Sequence, residues 1–481
     1  MLTRRRQPLI LLLALQGVIG LLTLARSVAG DSAPAVFDGW APPLIGVTAT
    51  APRVRFGIGA VLDGSFQAAA QAWVADHVTQ RAAIIRGFDQ LLWDGFGDSY
   101  MAGGSLVRGK GGALFEQSYI LSYCGIAPAT DAAALPGFAR RLRAAQDWFT
   151  RHGKTMVYYI APTKTGWFPD RIPDRFPCSP DKGAVALRNA VLTAFDQAGV
   201  AYVDGPRALE EQRGHVPIAL FPRNGIHWNW LGSAIGTEAL LAKLRALGLT
   251  GLPALTYDIG VSPDETGQDS DLATLLNLLW LPPGDPAPTV TVRPPAGPGT
   301  LRLAAVNDSF LHYLPMVLLD SGHVFASETV FGYVTGDQRL YKDGQIHLIK
   351  ADPAAIVKTL RASDVVVVEE IENRVGGPLS RKFLDMMDAV IAQDPAQPRC
   401  VRMDGAIPIG PAIVTDYSVI AKSLATKQSR AVNPIPIDEV LDCRVSTLLA
   451  MTAKLGECFD YMQSCPGGSS LPNRPASSVR P

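Results

Sequence analysis

The chain is short of charge. Of its 481 residues only 18% are Asp, Glu, Lys or Arg, and 44 basic side chains balance 44 acidic ones. A dedicated nucleic-acid binder carries a basic excess, so that class is excluded. Long apolar runs are scarce too. Mean hydropathy is high at +0.14, yet a single segment approaches the length of a bilayer span, which excludes a polytopic membrane protein. No cysteines are spaced as a CxxC pair, so a cysteine-based metal site is not expected. With 47% apolar residues a mainly disordered chain is excluded as well.

The one apolar segment lies at the N-terminus. Arg4, Arg5 and Arg6 precede a run from Pro8 to Ala25 broken by Gln16, and Ser27-Val28-Ala29 has the small-x-small form of a cleavage site. Arginines ahead of an apolar run favour a cytoplasmic N-terminus. The run is about 18 residues, near the lower limit for spanning and longer than the usual signal core. Residues 1–29 therefore read either as a cleaved signal peptide or as a retained anchor. Both readings place the rest of the chain in the periplasm or another extracytoplasmic space, on the inner membrane if the anchor stays. Cys124, Cys178, Cys400, Cys443, Cys458 and Cys465 suit disulfides in such a compartment. Cys124 is expected to pair with Cys178, far in sequence from the other four, whose connectivity stays open.

Residues 30–95 read as an N-terminal segment carrying an amphipathic helix between Phe66 and Leu92. Residues 96–380 read as the main domain. There, apolar runs at Thr155–Ile160, Ala201–Asp204, Leu301–Val306 and Val365–Val368 alternate with helical patterns at Phe138–Arg151, Ala184–Ala198 and Gly232–Leu247. Buried strands separated by helices predict an α/β fold with a parallel sheet flanked by helices. Residues 381–465 are expected to form a smaller, helical C-terminal extension, and the Pro/Ser/Gly-rich residues 466–481 a disordered tail.

Two segments carry candidate chemistry. Asn307-Asp308-Ser309-Phe310 follows an apolar strand directly. Ligands of open parallel sheets bind at the carboxyl ends of strands, where a serine Oγ can attack; the same residue types also serve as helix N-caps. Asn224-Gly225-Ile226-His227-Trp228-Asn229 places a histidine just before a helix, and a neutral imidazole can take a proton from a serine hydroxyl. His312 is close enough in sequence to line the same pocket. Gly97-Asp98-Ser99-Tyr100 repeats the Asp-Ser pattern but follows a helical segment, so Ser99 reads as turn chemistry. No Gly-x-Ser-x-Gly elbow surrounds Ser309, against a lipase-like hydrolase.

Together these segments resemble one family, the alginate-biosynthesis O-acetyltransferases of the AlgJ/AlgX type, whose fold is that of the SGNH hydrolases. The resembling pieces are Val107–Phe115, Tyr159–Lys164 with Pro169 and Pro173, His227-Trp228-Asn229, Asp269-Ser270-Asp271-Leu272-Ala273, Asn307–Phe310 and Val368–Ile371. They occur in the family's order across roughly residues 66–380. The resemblance implies that Ser309 is the nucleophile and His227 the base. It implies an acyl-enzyme that passes an acetyl group to a polysaccharide hydroxyl, with the acetyl supplied by a membrane-bound acyltransferase. No metal or organic cofactor is implied. The family's acid stands two residues before the histidine, where this chain has Gly225. Asn224 is then the nearest residue to orient His227, and Asp308 or Asp204 are the alternative carboxylates. Trp228, Trp230 and Trp167 read either as sugar-stacking rings or as core packing, and Asn307 is expected to help hold the oxyanion. An acetyl esterase and a non-catalytic polysaccharide-binding scaffold are the other readings.

Overall fold

Helix and strand alternate along the chain as the apolar pattern predicts. This is seen in a computed structural model of the protein, which describes residues 14, 16–23, 25, 41–46, 56–99, 104–127, 130–216, 218–265, 267–293, 299–312, 324–333, 337–342, 345–350 and 352–394. The strands are β1 (Leu106–Arg108), β2 (Leu114–Glu116), β3 (Thr155–Ala161), β4 (Tyr202–Asp204), β5 (Thr256–Ser262), β6 (Ala287–Arg293), β7 (Arg302–Asn307), β8 (Ser327–Gly332), β9 (Asp337–Lys342), β10 (Gln345–Lys350) and β11 (Val365–Ile371). The principal helices are α1 (Ser65–His77), α2 (Arg81–Phe96), α3 (Leu135–Arg151), α4 (Ala184–Ala198), α5 (Trp230–Ala246), α6 (Pro353–Ala362) and α7 (Pro378–Gln393).

Among the described residues the main sheet runs β10-β9-β8-β7-β11-β3-β4. The strands from β8 to β4 are parallel, while β9 and β10 form an antiparallel edge. The parallel strands are apolar without interruption because both faces are covered. Val365 and Val367 of β11 join Val157, Tyr159, Leu303 and Ala305 on one face. Val366 and Val368 join Met156, Tyr158, Ala304 and Val306 on the other. Helix α5 covers the first face; α3, α4, α6 and α7 cover the second.

Helix α5 approaches the sheet closely at Gly236. A Cβ there would stand 2.7 Å from the Tyr159 hydroxyl and 2.8 Å from the Trp228 ring, so only glycine fits. Tyr159 instead donates to the Gly236 carbonyl at 3.1 Å. The two glutamates ending β11 point to opposite faces. Glu370 accepts from Tyr158 Oη at 2.8 Å, from Ser380 Oγ at 2.6 Å and from the Gly376 and Gly377 amides, which ties the start of α7 to the sheet. Glu369 turns toward the Ser309 loop.

Three expectations meet a different arrangement. The helical segment expected from Phe66 to Leu92 is two helices, α1 and α2, joined through Gln80 in the left-handed region. Strand β6 lies within the Pro- and Gly-rich residues 281–300, which read as loop, and pairs antiparallel with β5; the pair packs on α5 through Ala234 and Val292. Helix α7 crosses the boundary expected at residue 380, and its Phe383, Leu384 and Met387 complete the second core face. Cys124 and Cys178 are bonded to each other. The other four cysteines, the rest of the C-terminal extension and the tail lie outside the described residues. No described helix is long and apolar enough to cross a membrane.

Candidate active site

Strand β7 ends at Asn307 and delivers Ser309, half-buried, to the carboxyl edge of the sheet. His227 arrives from the loop that precedes α5. Its Nε2 lies 2.9 Å from Ser309 Oγ, and its Nδ1 lies 2.6 Å from Asp271 Oδ2. The other oxygen of Asp271 accepts from the Ile226 amide at 2.9 Å, so one carboxylate holds both the ring and its backbone. The imidazole is buried against Phe310, with ring centroids 4.8 Å apart. Serine, histidine and carboxylate therefore form one hydrogen-bonded line, the geometry by which a histidine is held in the tautomer that can accept a serine proton.

The histidine loop is clamped from several sides. Lys164, just beyond β3, is fully buried and donates 2.7 Å bonds to the carbonyls of Arg223 and Gly225. Burial depresses its pKa to about 7, against the pull of Glu265 and Asp271. Glu265 accepts from the Arg223 and Asn224 amides. The Arg223 carbonyl also accepts from Leu114 of β2, and the Asn224 carbonyl from Ala273. Asn229 then caps α5, its Oδ1 accepting from Gly232 at 3.0 Å, as an N-cap asparagine should.

The serine loop rests on buried carboxyls. Asp308 accepts from the Phe310 amide at 2.8 Å and the Ile371 amide at 3.1 Å. Glu369 accepts from the Asp308 amide at 3.0 Å. Burial raises the pKa of both. Asp308, with its two amide donors, above the wholly enclosed Glu369, fixes the backbone on either side of Ser309. The Ser309 amide donates to the Tyr333 hydroxyl oxygen at 3.2 Å. Tyr333 sits in the left-handed region at φ 54, which costs about 1–2 kcal/mol, and burial raises its hydroxyl pKa, keeping the hydroxyl neutral.

Several expected residues are placed otherwise. Asn224 does not orient His227: its Nδ2 donates to the Pro282 carbonyl at 3.0 Å, and Asp271 holds the Nδ1 position. Asp308 serves its own loop rather than the imidazole. Asp204 caps a short helix and pairs with Arg188. Asn307 is buried and donates to the Asp308 carbonyl, so its amide is not open to an oxyanion. Trp228 is buried and donates from Nε1 to the Phe310 carbonyl at 3.0 Å; its ring supports the two loops and is closed to sugar. Trp167 is buried beneath Arg213, and Trp230 is half-buried on the α5 core. Ser99 is buried and donates to the Leu276 carbonyl. Asp271 and Tyr333 were missed. Asp271 did carry a signal, since it heads a short helix inside the Asp269–Ala273 stretch that resembles the family.

Residues 106–301 match the family model described as the SGNH hydrolase-like domain of the acetyltransferase AlgX. The match ends just before the Ser309 loop. No curated protein matches the chain. Among solved structures, the chain is similar to the O-acetyltransferase domain of Pseudomonas putida AlgJ, with 22% identity, 60% of this chain and 99% of that one covered, and a TM-score of 0.41. It is similar to Pseudomonas aeruginosa AlgX, with 14% identity, 59% and 67% coverage and a TM-score of 0.41. Bacillus cereus PatB1 shows 9% identity, 56% and 94% coverage and a TM-score of 0.36. Over residues 106–301, less than half of the chain, the protein is similar to the SGNH hydrolase-like acetyltransferase domain of the AlgX type.

Proposed function

We propose that this protein is an extracytoplasmic O-acetyltransferase acting on an exopolysaccharide through a Ser309 acyl-enzyme. The observation that carries the reading is His227 hydrogen-bonded at one nitrogen to Ser309 and at the other to Asp271. In the first half-reaction His227 Nε2 takes the Ser309 proton as Oγ bonds the acyl carbon of the donor. The tetrahedral intermediate collapses when the donor's leaving oxygen takes that proton back from His227. In the second half, a sugar hydroxyl gives its proton to His227 and bonds the acyl carbon, and Ser309 leaves reprotonated. Asp271 stabilises the imidazolium in both halves. The Ser309 amide donates to the Tyr333 hydroxyl, which leaves the hydroxyl's own proton to stabilise the developing oxyanion.

A membrane-bound acyltransferase that supplies the acetyl group is the partner this reading calls for. The Cys124–Cys178 bond supports an oxidising, extracytoplasmic compartment. The test is p-nitrophenyl acetate turnover with intact-mass detection of an acetyl adduct. Wild type should form the adduct, Ser99→Ala should keep it, and Ser309→Ala should abolish it. No adduct on folded wild-type protein would favour a binding or scaffold role instead. Acetyl transfer to an oligosaccharide in excess of acetate release separates transferase from esterase.

A further inference from the structure

Helix α2 is turned inside out. An amphipathic helix normally buries its apolar stripe and exposes its polar one. Here Arg86, Asp89 and Gln90 are buried along with Trp93. Arg86 donates to the carbonyls of Pro42, Pro43 and Leu278 at 3.1, 2.8 and 2.9 Å, and Gln90 accepts from the Trp280 amide. The outward stripe is Ile84, Phe88 and Leu91, which are 45%, 51% and 72% exposed. Their i, i+4, i+7 spacing puts them on one face. Phe56, Ile58 and Leu62, ahead of α1, are also exposed.

The N-terminal apolar run meets this surface. Its described residues 16–23 are helical, with Val18 and Leu21 exposed. Thr23 Oγ1 lies 3.2 Å from Thr79 Oγ1 and accepts from the Thr79 amide at 3.1 Å, just ahead of α2. Two helical stretches that both turn apolar side chains outward are therefore joined at one point. Arg26 follows the run directly and residues 1–30 hold no acidic residue, so the end of the run that meets α2 carries a charge suited to anionic headgroups.

We propose that Ile84, Phe88 and Leu91 form a membrane-docking face that lies in the interfacial region of an anionic phospholipid bilayer, continuous with the N-terminal helix. A helix in that plane keeps its apolar face in lipid and its polar face away from it, which is how α2 is oriented. Arg86 ties α2 to the segment that follows the Asp271–Leu275 helix. Docking therefore sets the Ser309 site at a fixed distance from the bilayer. The proposal is independent of the reaction assigned to that site.

The test uses the full-length chain in vesicles of phosphatidylethanolamine and phosphatidylglycerol containing a lipid-soluble carbene reagent, with labelled peptides mapped by mass spectrometry. Label is expected on Arg81–Phe96 as well as on residues 8–25. In the double variant Phe88→Asp/Leu91→Asp, labelling of α2 should fall about fivefold or more while the N-terminal label is unchanged; circular dichroism checks that the variant is folded. Label confined to residues 8–25 overturns the proposal. So does a dimer in detergent whose α2 helices cross-link to each other through a photoreactive residue at Leu91, because a second copy would then be the occupant.

Discussion

Replacing Asp271 by Asn removes one charge and one acceptor at the most constrained point of the site. The native carboxylate uses both oxygens, one for the Ile226 amide at 2.9 Å and one for His227 Nδ1 at 2.6 Å. An amide has a single oxygen and cannot serve both donors. If that oxygen stays on Ile226, the new NH2 faces Nδ1 and drives the ring proton to Nε2, opposite Ser309, where a base is needed. If the amide turns the other way, its NH2 meets the Ile226 N–H, leaving a donor unsatisfied at a cost of about 1–3 kcal/mol. Either way the imidazolium loses its counter-charge. Loss of a triad acid can cost about 10⁴ in rate. Asp271 keeps 25% side-chain exposure, so water softens the loss. We expect a fall of about 10³–10⁴ in kcat/KM, or roughly 4–5.5 kcal/mol in the barrier. The assay is p-nitrophenyl acetate turnover beside the rate of acetyl-adduct formation, with thermal melts to show that the variant is folded. A folded Asp271→Asn within about tenfold of wild type would refute this reasoning, and a larger loss in Asp204→Asn would move the acid elsewhere.

Restoring the family's acid at its usual position should fail: Gly225→Asp places a Cβ 2.8 Å from the Asp269 and Gln268 carbonyls and 2.9 Å from Pro222. It is expected to destabilise by about 1–3 kcal/mol, and recovered turnover in Gly225→Asp/Asp271→Asn would contradict this. Burial, with Glu265 and Asp271 nearby, raises the Asp269 pKa to about 7. The native state then holds a proton that the unfolded chain releases near pH 3.9, so stability falls as pH rises from about 4 to 7. Asp269→Asn should flatten the urea midpoint over that window, and a slope equal to wild type would count against it. The Cys124–Cys178 bond closes a sequence separation of 54 residues, worth about 4 kcal/mol by chain entropy. Cys124→Ala/Cys178→Ala should lower the melting temperature accordingly, and an unchanged midpoint would show that the bond does not constrain the unfolded chain.

The parallel core was legible because burial on both faces leaves strands such as Val365–Ile371 apolar without a break through Val368. Strands β8 to β10 were not, since β8 carries the buried Glu328 and the edge pair alternates with polar residues. The pairing of β5 with β6 joins segments on either side of the Asp271 helix, and no local signal records such a contact. Ser309 and His227, which the structure brings into contact, were legible as candidates because each lies inside a short motif. Trp228 was misread because a motif does not report burial, and here the ring is the packing beneath both loops.

The acid is the more instructive case. The residue two before His227 is glycine, which taken alone argues for a weakened site. In three dimensions the backbone of Gln268 and Asp269 crosses where any side chain at 225 would go. The same segment then turns into the short helix headed by Asp271, whose carboxylate reaches His227 Nδ1. The absence at 225 and the carboxylate at 271 are thus consequences of one chain path. On the proposed mechanism, the crossing segment takes the space of a side chain at 225 and brings a carboxylate of its own, so Gly225 marks where that carboxylate comes from rather than its loss.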